Sequence, residues 1–265
     1  MRRITTKRLS TPAPVGGRAK QNRMRDKTRE TLHNERILPK AEIFWGWATP
    51  AGQERVRRRV QLLKQLGNFH EGMRVLELGC GTGMFTQHLA QTAVDLTAVD
   101  LSEHFLAKAL VRVADKRTTF CACDAEKLCF PSDAFDAVVG ISILHHLDMG
   151  SVTPEIRRVL KNRGRIVFTE PNMLNPQIFV QKNVPFFKRL MGDSPDERAF
   201  TRWPLQRFLE KYGFVNVKVL PFDFMHPFSP SFAVGLIGRL GAALERMPVV
   251  REIAGSLLIS AELQK

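Results

Sequence analysis

No apolar run in this 265-residue chain approaches the roughly 20 residues needed to span a bilayer. The first 25 residues also lack the continuous apolar segment of a secretory leader. They contain no acid before Asp26, as in a mitochondrial presequence, but Pro12, Pro14, Gly16 and Gly17 would break a long amphipathic helix. The expected compartment is therefore the cytoplasm, with peripheral contact to a membrane as the further expectation. Cysteine is scarce: Cys80, Cys121, Cys123 and Cys129 are the four present. The last three form C-x-C-x5-C, which matches no common zinc spacing, and no nearby His completes a set. Free thiols in a reducing compartment are expected, and no metal.

Acids are scarce in one place only. Residues 1–67 hold 17 Lys+Arg against 5 Asp+Glu, a net of +12, whereas the rest hold 23 against 21, a net of +2. The basic character belongs to the N-terminal quarter and suits an anionic surface, whether lipid headgroups or nucleic acid. Residues 1–40, poor in apolar residues and punctuated by Pro and Gly, read as a mobile basic arm. Order is expected from the aromatic cluster Ile43-Phe44-Trp45-Gly46-Trp47, so the folded domain is placed at 41–265. Thr49-Pro50 supplies an N-cap and a first-turn proline. The helix that follows, to about Leu66, carries Val56, Val60, Leu63 and Leu66 on one face and Arg57–Arg59 largely on the other.

From Met73 the pattern alternates. Strands are expected at 73–78, 95–100, 118–123, 135–141 and 164–169, and helices near 84–92, 103–113 and 151–161, the last with Pro154 in its first turn. Short apolar strands between amphipathic helices argue for an α/β fold, a doubly wound parallel sheet covered on both faces. Beyond an irregular stretch at 171–200 come a helix at 204–212, a strand at about 214–220, an apolar, proline-containing segment at 221–250, and a strand at 256–263.

The segment Glu77-Leu78-Gly79-Cys80-Gly81-Thr82-Gly83 joins the first strand to a helix, where glycine lets a ligand lie against outward-pointing N–H groups. It lacks the G-x-x-G ending of the dinucleotide fingerprint. Glu77, two residues before the first glycine, suits a ligand with a cationic amino-acid end and would repel a pyrophosphate. Asp100 ends the second strand, where a carboxylate can accept both ribose hydroxyls. Asp124 follows the third, in Cys123-Asp124-Ala125, within reach of an adenine amino group. Taken singly, Asp100 could simply cap the helix near Ser102, and Asp124 a turn. Three acids at three consecutive strand ends, in register with the loop, argue for a shared ligand.

Val75–Gly83, Asp100, Cys123-Asp124-Ala125 and Phe135-Asp136-Ala137-Val138-Val139 together resemble the motif series of class I S-adenosylmethionine-dependent methyltransferases. Ile143-Leu144-His145-His146-Leu147 resembles a segment of members acting on small molecules and lipids. The match is strong over about 73–170. The resemblance implies a seven-stranded sheet of order 3-2-1-4-5-7-6 with the last strand antiparallel, and S-adenosylmethionine as cofactor. It sets Gly79, Cys80, Gly81 and Gly83 at the methionine end, Asp100 and Leu101 at the ribose, Asp124 and Ala125 at the adenine, and Ile141 near the sulfonium. Residues 171–203 and 221–252 become insertions on the substrate side, forming a lid.

Methyl transfer mainly requires positioning and exclusion of water. A base is needed when the nucleophile is a hydroxyl or an acidic carbon. His145 and His146 are the candidates for that role, and Glu170, at the end of the fifth strand, is a weaker one. The insertions interleave Ile178, Phe179, Phe186, Phe187, Phe228, Phe232, Leu236 and Leu240 with Lys182, Lys188, Arg189, Arg239 and Arg246, the pattern of an interfacial enzyme. The expected activity is methylation of a small hydrophobic or lipid-like acceptor at a membrane surface. One alternative is an RNA methyltransferase using the basic arm and Arg55–Arg59 on phosphates, although no Asn/Asp-Pro-Pro-aromatic motif follows the fourth strand, and nucleic acid is not the expected partner. Another is a methyltransferase-like binding or assembly factor without catalysis.

Overall fold

The computed structural model of the chain describes residues 41–184 and 199–265. The expected basic arm at 1–40, and Phe186, Phe187, Lys188 and Arg189 of the first insertion, lie outside the described residues. The chain runs α1 (Ala41–Phe44), α2 (Pro50–Gly67), β1 (Arg74–Leu78), α3 (Thr86–Leu89), β2 (Asp95–Asp100), α4 (Glu103–Arg112), β3 (Thr118–Ala122), β4 (Phe135–Ile141), α5 (Met149–Val159) and β5 (Leu160–Pro171). It continues with α6 (Pro176–Asn183), α7 (Arg202–Lys211), β6 (Phe214–Phe222), α8 (Val234–Leu244) and β7 (Ser256–Leu263). The seven strands form one sheet of order β3-β2-β1-β4-β5-β7-β6. β1 to β5 are mutually parallel, and β7 is antiparallel to both β5 and β6. The expected fold class and strand order are therefore those observed.

The sequence alternation along the strands separates two apolar layers. Ala137 and Val139 of β4 face α2 and α4 through Val60, Leu63, Leu106 and Ala109. Val138, between them, faces α5 and α7 through Val152, Ile156, Leu205 and Leu209. Both faces are covered, which is why the central strands read as almost continuous apolar runs.

Three local expectations need correction. The helix expected at 151–161 begins at Met149, so Pro154 sits inside it rather than in its first turn. β5 starts at Leu160, four residues early, because Leu160 leaves the helix in extended conformation and pairs with Phe135 before the ladder shifts register. Of the arginine triplet Arg57 is exposed as expected, whereas Arg58 is half-buried and Arg59 is turned inward. Arg59 is only 2% exposed. Its Nη2 lies 2.7 Å from Asp223 Oδ2, an oxygen that also accepts from Arg55 Nε at 2.7 Å. Arg58 pairs in the same way with Glu245. Helical spacing alone could not anticipate a carboxylate supplied from 164 residues downstream.

Burial alone would raise the Asp223 carboxyl, but Arg59 and Arg55 outweigh it and hold it at about 2. Burial pulls the Arg59 guanidinium down to about 10 against the attraction of Asp223. The two partners shift in opposite senses of stability, yet both remain charged at neutral pH. The cluster ties α2 to the segment after β6. Thr49 adds to that tie, since its Oγ1 caps α2 by accepting from Gly52 N at 2.9 Å and also donates to the Pro227 carbonyl.

Candidate active site

The strand directions bring the C-terminal ends of β1 to β6 to one edge of the sheet. The order reverses between β1 and β4, leaving a crevice at that edge where doubly wound sheets bind ligands. The turn after β1 passes through Gly79 (φ 66°), Gly81 (φ 52°) and Gly83 (φ 77°), a region costly for other residues. The three are not equivalent. A Cβ on Gly79 would lie 2.5 Å from Ile143 Cδ1, and one on Gly83 would lie 2.9 Å from Ala109 of α4. Packing demands glycine at both. A Cβ on Gly81 would meet nothing closer than the Trp45 ring at 3.9 Å. The open backbone of the loop is thus at Gly81, with Trp45 beside it.

Asp100, half-buried at the end of β2, fixes that loop. Its Oδ2 accepts from Gly81 N and its Oδ1 from Ser102 N, both at 2.8 Å. The cap of α4 is Ser102, whose Oγ accepts from Phe105 N at 3.3 Å, so Asp100 is not merely a helix cap. Burial raises the Asp100 carboxyl, and the amide bonds partly offset this. Cys80 N donates to Val99 O at 3.0 Å, stitching the loop to β2, and burial pushes the Cys80 thiol well up. Leu101 is exposed beside Asp100.

Glu77 is 2% exposed, and its Oε2 has no partner meeting hydrogen-bond geometry. Burial raises its carboxyl to about 7, against a lowering by the neighbouring Thr86 hydroxyl and with a further push from Asp100. An unpaired buried carboxylate oxygen is costly and invites a cation. After β3, Asp124 turns its Oδ1 onto Glu126 N at 2.9 Å, with Ala125 buried beside it. Cys121 and Cys129 bring their sulfurs to 3.5 Å at the same strand end, and all four cysteines are free.

β4 ends at Ile141, which is buried. Ser142 then takes a left-handed φ of 54° while its N–H donates to Thr169 O at 2.8 Å. Such strain in a non-glycine residue is typical of functional turns. It leads into the short turn Leu144–His146 at the C-terminal end of β4. His145 Nδ1 lies 2.7 Å from Glu170 Oε2, while Glu170 Oε1 accepts from Ile143 N at 3.0 Å and Leu144 N at 2.8 Å. The His146 ring packs on His145, with centroids 4.1 Å apart. Two candidates treated separately in the sequence, His145 and Glu170, therefore form one pair. Nothing local signals a contact across 25 residues. It follows from β4 and β5 being neighbours.

Sequence reasoning also missed the cover of the loop. Glu42 of α1 accepts from Thr82 Oγ1 at 2.6 Å and pairs with Arg112 of α4 at 2.6 Å. Burial would raise the Glu42 carboxyl, but Arg112 and Thr82 hold it below the ordinary range. Trp45 stacks obliquely on Phe105, centroids 5.6 Å apart. The aromatic cluster was visible as a place where order begins, but its position over the glycine loop was not.

The methyltransferase-domain family profile matches residues 76–168, from β1 to β5. A demethylmenaquinone methyltransferase of Staphylococcus aureus is 28% identical over 185 residues, covering 62% of this chain and 76% of that protein. Among solved structures, an S-adenosylmethionine-dependent methyltransferase of Thermotoga maritima aligns with TM-score 0.61 and 18% identity over 85% of this chain and 97% of its own. Phosphoethanolamine N-methyltransferase 2 of Haemonchus contortus, in complex with S-adenosyl-L-methionine, gives TM-score 0.57 and 20% identity over 79% of this chain. The present chain spans about half, 53%, of that neighbour. At these identities the structural likeness concerns the fold. The sheet order and the glycine loop are those of the class I S-adenosylmethionine-dependent methyltransferase fold, and the methyltransferase-domain match covers residues 76–168 of it. S-adenosyl-L-methionine is the ligand held by the Haemonchus contortus neighbour. The unpaired Glu77 oxygen, the open side of Gly81 and the Asp100 carboxylate fit the chemistry of such a ligand.

Proposed function

We propose that this chain methylates a small hydrophobic acceptor at a membrane surface, with His145 removing a proton from the acceptor. The observation carrying this reading is the His145–Glu170 pair at the crevice edge. When bound, S-adenosylmethionine supplies an electrophilic methyl group on a sulfonium. Glu77 would neutralise the ammonium of its methionine end, Gly81 would give it backbone contact, and Asp100 would take the ribose hydroxyls. Gly79 and Gly83 would shape the loop, with Cys80 anchoring it and Leu101 alongside the ribose. Asp124 and Ala125 would flank the adenine, and Ile141 would face the sulfonium. Glu170 accepts from Nδ1–H of His145, which leaves Nε2 as the proton acceptor. His146, packed on that ring, would help to position it. The insertions after β5 and β6 would close over the acceptor. Relatives named for demethylmenaquinone support the hydrophobic class. The RNA alternative loses part of its phosphate-binding set, because Arg55, Arg58 and Arg59 are engaged with Asp223 and Glu245.

The test is transfer of labelled methyl from S-adenosylmethionine into a lipid extract, an RNA fraction and a protein fraction. Label is expected in the lipid extract, and label in RNA alone would overturn the reading. In the same assay Asp100→Ala should lower cofactor affinity by about 10- to 100-fold, the loss of a charged hydrogen bond of about 1.5–3 kcal/mol. Calorimetry measures this directly, and unchanged affinity would remove Asp100 from the ribose.

A second expectation concerns protons. Free Glu77, at about 7, is partly protonated at neutral pH. A cation placed against it lowers its pKa, so cofactor binding near pH 7 should release a proton. The calorimetric enthalpy should then vary with the ionisation enthalpy of the buffer, and the variation should vanish in Glu77→Gln. A buffer-independent enthalpy in the wild type would place the ammonium elsewhere.

A further inference from the structure

We propose that the outward face of α8, together with the turn before it, is the surface on which this protein rests on an anionic lipid bilayer. This deepens the membrane-surface part of the reading above and rests on it only for the acceptor's route.

The argument starts from where α8 sits. β6 ends on the same side of the sheet as the glycine loop, so the segment after it emerges on the crevice side. Pro227 in that segment packs on Gly46, where a Cβ would lie 2.5 Å away, and Gly46 follows the Trp45 that covers Gly81. α8 is held on its inner side. Gly238 faces Met225, Gly241 faces Phe224, and Glu245, just past the helix, is taken by Arg58.

Its outer side has no protein against it among the described residues. Phe232, Leu236 and Leu240 recur every four residues and are 91%, 61% and 55% exposed. Val249 beyond the helix is 85% exposed. A helix that keeps a row of large apolar side chains in water is built for a partner. α6 extends the surface, because Phe179 is also exposed and Gln177 Nε2 lies 3.0 Å from His226 Nε2 at the base of the same turn.

Charge selects the partner. Between residues 224 and 251 Glu245 is the sole acid, and it is occupied. Arg239 and Arg246 are exposed on α8 and just beyond it. Two copies meeting through this face would bring those arginines together and repel. An anionic headgroup layer would instead pair with them while the apolar row enters the acyl boundary. With 11 residues, α8 is about 16 Å long, enough to lie in the interface and too short to cross it. Among the described residues no helix is long and apolar enough to cross a membrane. The bilayer plane then lies against the edge where a lipophilic acceptor must enter.

The experiment is co-sedimentation of the full chain with vesicles of phosphatidylcholine alone or mixed with phosphatidylglycerol, read without acceptor or methyl transfer. Binding is expected to the mixed vesicles and to be weak on the neutral ones. The double variant Leu236→Glu/Leu240→Glu should lose at least about tenfold in affinity, with thermal midpoint and cofactor affinity unchanged. Arg239→Glu/Arg246→Glu, which leaves the apolar row intact, should lose the preference for phosphatidylglycerol. Wild-type binding by both variants would assign the membrane contact to the basic residues 1–40 and overturn the proposal. So would absence of binding by the wild type, or a dimer in light scattering that the leucine variant dissociates. Methyl transfer to a hydrophobic acceptor can fail or succeed independently of every one of these outcomes.

Discussion

His145→Ala is expected to lower kcat by about 10²- to 10⁴-fold, the usual contribution of a positioned general base. Cofactor affinity should stay unchanged, because the imidazole is held by Glu170 and His146, neither of which is assigned to the cofactor. The size of the effect depends on Glu170. Its carboxylate is held by two amides of the same turn that carries His145, so turn and ring are oriented by one group. Glu170→Gln keeps the volume but cannot accept at every one of these positions. It should lower kcat by less than His145→Ala, with KM little changed, because it acts through the orientation of His145. His146→Ala should have a smaller effect than either, since it removes a packing partner rather than the proton acceptor. Measurement is single-turnover methyl transfer, with the thermal midpoint recorded for each variant. A His145→Ala enzyme with wild-type kcat would show that the acceptor loses its proton without help, as a neutral amine does, and would redirect the search toward nitrogen acceptors.

Asp223→Ala should cost about 3–5 kcal/mol in urea unfolding at pH 7, because it strands the buried Arg59 cation beside the half-buried Arg55. Asp223→Asn should be nearly as damaging, since the missing element is charge rather than shape. The pH dependence has a definite sign. The carboxyl sits at about 2 in the folded chain against an ordinary 3.8. Its contribution is therefore complete above about 3.8 and is lost as pH falls toward 2. Glu77 works the other way. Its folded value is about 7 against an ordinary 4.5, so stability declines as pH rises through that interval. An Asp223→Ala protein that unfolds within 1 kcal/mol of wild type would mean that water or a rearranged Glu245 rescues the arginines.

The parts of this molecule legible in its sequence are those written locally. β1, β2 and β4 each carry an apolar run closed by a chemically distinctive residue: Leu78 before the glycines, Asp100, and Ile141 before Ser142. Periodicity and turn chemistry suffice to read them. Interactions across long separations were not legible. Helical spacing sets Arg59 three residues after Val56 and four before Leu63, on the buried side of α2, but the carboxylate that makes its burial tolerable is Asp223, which only the fold brings near. The start of β5 was missed because Leu160 reads equally well as the last apolar residue of a helix. The same division holds in the site. The acids at the strand ends could be listed from sequence, but the pairing of His145 with Glu170 and the cover formed by Glu42 and Trp45 required neighbouring strands and a folded-back N-terminal helix.

The position of β7 bears on how the chain acquires its shape during synthesis. This strand leaves the ribosome after the other six, yet it is not at a margin: it lies between β5 and β6 and pairs with both. Until it arrives, β5 presents an open ladder of N–H and C=O groups, and β6 with α7 has no sheet to join. A nascent chain that already holds the complete Glu77–Gly83 loop and the first five strands must therefore keep an adhesive edge out of contact with other nascent chains. In this sheet the strand translated after the other six is the one that closes the adhesive edge.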